Sequence, residues 1–213
     1  IVSLDGVNAM AHAVSRMLAG DVEGGGAILQ EALAANQKKH YFMGVTLELA
    51  QSWITAWRGS GSSLQFAHII RQTGRDSGLI MHEILGLTSE CVAAALLDLP
   101  DLAVRVAELR RLGKSGSIPY AAIHAELLDA WRLVRTGDEE AAVPFLEAGL
   151  KLLHQQSEGF LTSAVPQILQ PLCVLALRRN IEPDMARALI RVFGLPPPPD
   201  FPAYWTYPVQ IRC

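Results

Sequence analysis

Residue types that could carry chemistry are present, but their spacing argues against most reactions. His82-Glu83 opens a zinc-protease pattern, yet the second His that pattern needs falls at Gly86. Gly113-Lys114-Ser115 matches the end of a phosphate loop, but the glycine required five residues earlier is Glu108 and no strand text precedes it. Gly20 to Gly26 has glycines at loop-like spacing, and it follows a helix rather than a strand. The six histidines, at 12, 40, 68, 82, 124 and 154, share no paired spacing, and no two cysteines stand at metal-ligand distance in sequence. No nucleophile and base are placed together. The sequence therefore predicts no catalytic residues, no metal site, no cofactor and no enzyme activity.

The polar residues that do recur at regular spacing are of another kind. His12, Glu48, Gln51, Ser89, Glu126 and Asp129 stand nine or twelve residues before a recurring helix corner. That spacing puts them on one side of a series of helices. On the concave side of a helical-repeat array they would form a polar groove for a partner protein or a small-molecule inducer, with carboxylates facing basic groups; the alternative is an ordinary solvated helix face.

The helices must exist for such a column to mean anything. Corners are read at Gly20-Asp21, Gly59-Ser60, Pro100-Asp101, Gly137-Asp138 and Asn180 to Asp184. Four of the five set an Asp where a second helix begins, where its oxygen can accept from unpaired backbone N–H groups and suits the positive end of the dipole. Eight residues before each corner sits a small residue: Ala13, Ser52, Ala93, Ala130 and Ala176. Ten before sit Ala11, Ala50, Cys91, Leu128 and Val174, and seven before sit Val14, Trp53, Ala94, Trp131 and Leu177. Small residues at one place let helices approach, and large apolar neighbours fill the gap.

The predicted pairs are Leu4 to Ala19 with Val22 to Ala35, Tyr41 to Arg58 with Ser63 to Thr73, Leu79 to Leu97 with Asp101 to Leu112, Pro119 to Arg135 with Glu139 to Gln156, and Leu161 to Arg179 with Pro183 to Phe193. Turn compositions at 74–78, 113–116 and 157–159 separate them. The predicted fold class is all-α: a right-handed superhelical solenoid of about five antiparallel helix pairs, tetratricopeptide-like, over residues 1–194. Residues 195–213 read differently. Four consecutive prolines force extended backbone, and Tyr207 to Arg212 alternates like the first strand of a following domain.

The totals fit one such domain. Half the chain is hydrophobic and 18% charged, which is enough for a core. A net charge of −3 and a pI near 6.1 set up no field that would draw nucleic acid. Arg105, Arg110, Arg111 and Lys114, and later Arg178, Arg179, Arg187 and Arg191, lack interleaved aromatics and are expected to meet solvent or an adjoining domain. No apolar run is long enough to span a bilayer, so no membrane is expected. Cys91, Cys173 and Cys213 are an odd number in apolar or terminal text, which reads as free thiols in a reducing cytoplasm. The opening residues carry no basic n-region and read as the interior of a longer chain.

Ile181-Glu182-Pro183-Asp184, Ala188-Leu189-Ile190-Arg191, Leu195-Pro196-Pro197 and Trp205 to Ile211 resemble one known junction. It is where the helical-repeat domain of maltose-regulon-activator-type bacterial transcriptional regulators, of the signal-transduction NTPase and LuxR-like type, passes into an effector domain. The resemblance implies a sensor and protein-interaction module. It would bind an inducer or partner protein on its concave face and couple that event to adjoining domains of the same chain, one of them DNA-binding. No direct nucleic-acid contact is expected of this stretch, and such a module can self-associate into homo-oligomers. With no phosphate loop present, nucleotide hydrolysis is not carried over. The repeats alone would equally suit a stand-alone scaffold or peptide binder unrelated to transcription.

Overall fold

A computed structural model describes residues 4–36, 41–116, 118–156, 165–199 and Trp205. The described residues form ten α-helices and no strand: α1 Leu4–Leu18, α2 Val22–Asn36, α3 Tyr41–Trp57, α4 Ser62–Ser77, α5 Ile80–Leu96, α6 Leu102–Gly116, α7 Pro119–Arg135, α8 Glu139–Gln155, α9 Pro166–Arg178 and α10 Pro183–Phe193. Each helix touches the next in sequence, and α1, α3, α5, α7 and α9 also touch one another in series. The odd-numbered helices thus hold the middle of the molecule. Most of the apolar residues of α5 and α7 are buried.

One hydrogen-bond motif closes every odd-numbered helix. The N–H of Asp21, Ser60, Leu99, Asp138 and Ile181 donates to the carbonyl five residues back, at 2.8 to 2.9 Å. The residue just before each has positive φ: Gly20 (90°), Gly59 (68°), Asp98 (54°), Gly137 (82°) and Asn180 (55°). This left-handed C-terminal cap satisfies carbonyls that the helix leaves open. Asp21, Ser60, Leu99 and Asp138 follow one another at 39-residue steps, from 21 to 60, 60 to 99 and 99 to 138. The corners are therefore repeats of one structure, not merely of one composition.

Two corners differ from the sequence expectation. The third is at Asp98-Leu99, not Pro100-Asp101, and the fifth is at Asn180-Ile181. Their left-handed residues are Asp and Asn, which tolerate that conformation without announcing it as glycine does. Counted from the observed corners, the small column becomes Ala13, Ser52, Cys91, Ala130 and Cys173, each at most 2% exposed. Ala93 and Ala176, which belonged to the expected column, are fully buried as well.

The aspartates split into two kinds. Asp21 and Asp138 do cap their helices, accepting from Gly24 N at 2.8 Å and Ala141 N at 3.1 Å. Asp101, just before α6, instead accepts from Arg105 of α6, and Asp184 accepts from Arg187, both on α10.

Two expected breaks are helix. α4 runs through Gly74 to Ser77, and α6 runs through Gly113 to Gly116. Both glycines are contact points. A Cβ at Gly74 would lie 2.3 Å from Glu83 N, and one at Gly113 would lie 2.6 Å from the Ala121 side chain. These helices stop at the next cap, where Leu79 N donates to Gly74 O and Ile118 N to Gly113 O, each at 2.9 Å. The glycine run of α2 also serves packing: Gly25 faces the Ala13 backbone of α1, and Gly26 faces the guanidinium of Arg58, the residue after α3.

At the C-terminal end, Leu195 to Pro199 are non-helical, as four prolines require, yet they are not a free tail. Leu195 and Trp205 are buried, Trp205 Nε1 donates to Leu195 O (2.9 Å), and Gln170 Nε2 of α9 donates to Pro196 O (2.7 Å). Part of the segment assigned from sequence to a linker thus joins the helical core. The expected strand at 207–212, the turn at 157–159, the start of helix nine at Leu161 and Cys213 lie outside the described residues.

Candidate functional site

The six residues expected on one polar face occupy different environments. His12 on α1 is exposed. Glu48 on α3 is half-buried, and burial pushes its carboxyl above the usual range. Gln51 on α3 and Ser89 on α5 are each 4% exposed, and neither Gln51 Oε1 nor Ser89 Oγ has a hydrogen-bond partner among the described residues. Glu126 on α7 is half-buried and Asp129 is buried.

Glu126 and Asp129 are not presented to solvent as free charges. Arg110 of α6 donates to Asp129 Oδ2 at 2.9 Å and to Glu126 Oε1 at 3.2 Å. Burial works against the Arg110 charge, but hydrogen bonds to both carboxylates outweigh it and raise its pKa. Arg132 adds a longer contact to Asp129. These two carboxylates fasten α7 to α6.

The observed corners also change which α5 residue is equivalent. Nine residues before each corner stand His12, Gln51, Glu90, Asp129 and Leu172. The sequence register, displaced at the third corner, selected Ser89 and missed Glu90. Glu90 is 1% exposed. It accepts from Arg71 Nη1 of α4 (2.7 Å) and Arg105 Nη1 of α6 (3.0 Å), with His68 Nδ1 at 3.2 Å. Arg71 continues to Glu108 on α6, and Arg75 joins Glu83 and Glu108. This network ties α4, α5 and α6 together. The signal that could have found it is the pair Arg71 and Arg110, both eleven residues after a corner.

Other candidate groups are committed to packing. Trp53 and Trp131, which share a register, are both buried, and Trp131 Nε1 donates to Gln167 O of α9 (3.2 Å). Gln167 Nε2 in turn donates to Trp57 O, the last carbonyl of α3, at 3.1 Å. Cys91 and Cys173 are buried free thiols whose pKa burial raises, that of Cys173 to about 12, so neither is a nucleophile at neutral pH. Among the described residues no three His, Cys, Asp or Glu groups could hold a metal ion. No described helix is long and apolar enough to cross a membrane.

One pair of polar groups without a described partner lies on α3. Glu48 and Gln51 are one turn apart, hence on one face; the Gln51 amide oxygen is buried without a partner among the described residues, and the half-buried Glu48 carboxylate has no ion pair among them. A buried acceptor left unpaired costs about 1–3 kcal/mol, so such a pair is a place where an outside donor would be welcome. No protein-family model matches this chain, and neither the curated proteins nor the solved structures contain a significant match to it.

Proposed function

We propose that the chain is the sensor and interaction module of a bacterial transcriptional regulator of the maltose-regulon-activator type, built as a right-handed solenoid of antiparallel helix pairs. It receives a partner protein or small inducer on the layer of odd-numbered helices and passes the event to adjoining domains. It acts in the cytoplasm and has no catalytic role of its own. The observation that carries this reading is the polar pair Glu48 and Gln51 on α3: Gln51 Oε1 is buried without a hydrogen-bond partner among the described residues, and the half-buried Glu48 carboxylate has no ion pair among them. Corners repeating at 39-residue steps support the solenoid. The junction text from Ile181 to Ile211 supports the link to transcription.

The test uses the full-length product of the encoding gene. Sequence-specific DNA binding is measured with and without the helical residues 4–199. The reading expects both forms to bind DNA and only the intact form to activate a reporter in response to effector. Failure of the intact protein to bind DNA would leave a stand-alone scaffold as the better description.

A further inference from the structure

Arg71 on α4 and Arg110 on α6 occupy one repeat position, eleven residues after a corner. Their carboxylate partners, Glu90 on α5 and Asp129 on α7, occupy another, nine residues before the next corner. One repeat earlier the same two positions hold Ala32 on α2 and Gln51 on α3. The donor has been replaced by a methyl group, while a polar acceptor persists. Gln51 is 4% exposed and its Oε1 has no hydrogen-bond partner among the described residues. Glu48, equivalent to the Glu126 that shares Arg110, also has no ion-pair partner among the described residues. α2 and α3 are in contact, as α4 and α5 are and as α6 and α7 are. In the next two repeats, therefore, the protein itself supplies at this position a cation that no described residue supplies to Gln51 and Glu48.

We propose that the α2–α3 step is a binding site for a guanidinium group, held by Gln51 Oε1 and the Glu48 carboxylate in the place that Arg71 and Arg110 take in the following repeats. A planar guanidinium presents several N–H donors in a fixed fork and can address an amide oxygen and a carboxylate together. An ammonium is a point charge that loses more hydration on entering a half-buried site. Because Glu48 has no counter-ion among the described residues, the ligand's charge is compensated on arrival, and the hydrogen bonds formed are charge-assisted. The group can come from an arginine side chain of a partner protein or from a free guanidinium metabolite. This inference rests on the odd-helix layer being the receiving surface.

The probes are methylguanidinium and a blocked tripeptide with a central arginine, titrated into the full chain at constant ionic strength. Backbone and side-chain amide NMR signals are followed. Saturable shifts are expected at Ala32, Glu48 and the Gln51 side-chain amide, with methylammonium at least about tenfold weaker. Tighter binding of the tripeptide assigns the site to a protein partner, and equal binding assigns it to a small molecule. Ala32→Arg supplies the donor from within and should abolish probe binding while raising the unfolding midpoint. Should that variant not fold, Glu48→Gln, which keeps the side-chain size, should weaken binding about tenfold. The proposal is overturned if shifts are absent or non-saturable, or if they survive in Ala32→Arg or Glu48→Gln. DNA binding by the full-length protein does not depend on this site, so either idea can fail alone.

Discussion

His124 shows how far a single residue can be committed. It is buried on α7, its Nδ1 donates to Tyr120 O at 2.9 Å, and its Nε2 finds no partner among the described residues. Burial lowers its pKa to about 4, with the Tyr120 bond opposing only in part. The unfolded chain takes up that proton near pH 6.5, as a free imidazole does. Between about 6.5 and 4 the unfolded state binds more protons, so stability falls as pH falls through that window. The loss attributable to His124 reaches about 3 kcal/mol by pH 4. His124→Leu should lose distinctly less than the wild type between pH 7 and pH 4 in urea midpoints. Equal losses would mean that the imidazole titrates normally.

Glycines at this scale are separable by what a methyl group would strike. At Gly86 of α5 an added Cβ would lie 2.3 Å from Arg71 N, which is backbone and cannot yield. Gly86→Ala should cost about 1–3 kcal/mol by overpacking. At Gly26 of α2 the obstacle is the Arg58 guanidinium at 2.4 Å, the far end of a flexible side chain. There the gain in helix propensity, about 1 kcal/mol, offsets the shift, and Gly26→Ala should be near neutral. Thermal midpoints of the two variants would reverse this account if Gly26→Ala proved the more damaging.

Among elements, the odd-numbered helices carry the close approaches. Ala130, fully buried on α7, stands eight residues before its corner, as Ala13 and Ser52 do before theirs. Ala130→Leu, and likewise Ala93→Leu on α5, should destabilise by about 1–3 kcal/mol in denaturant titration. An unchanged midpoint would place these residues away from any interface. The helices themselves were largely legible from apolar spacing and corner chemistry, since α7 and α10 begin and end where their text predicts. What misled was glycine. Gly74 and Gly113 resemble breakers in sequence but act as contact points, and only the neighbouring helix reveals that. The third corner was hidden for the converse reason, because Asp98 does there what glycine does elsewhere. Of the candidate site, the column holding Glu48, Gln51 and Asp129 was legible. Its pairing with arginines was not, because Arg110 and Asp129 lie on different helices and meet only through tertiary packing.

For the whole molecule, α9 joins distant parts. Gln167 spans from the Trp57 carbonyl of α3 to the Trp131 indole of α7, and Gln170, one turn on, holds the proline segment at Pro196. A change at α3 therefore has a physical route to Leu195 and Trp205, where the regulator reading places the passage to an effector domain. The measurement that bears most directly on that reading is the sequence of the transcript encoding this chain, read beyond both ends. The account predicts a phosphate-loop NTPase domain before Ile1 and a winged-helix or related DNA-binding domain after Cys213. A start codon immediately before Ile1 together with a stop codon immediately after Cys213 would contradict it.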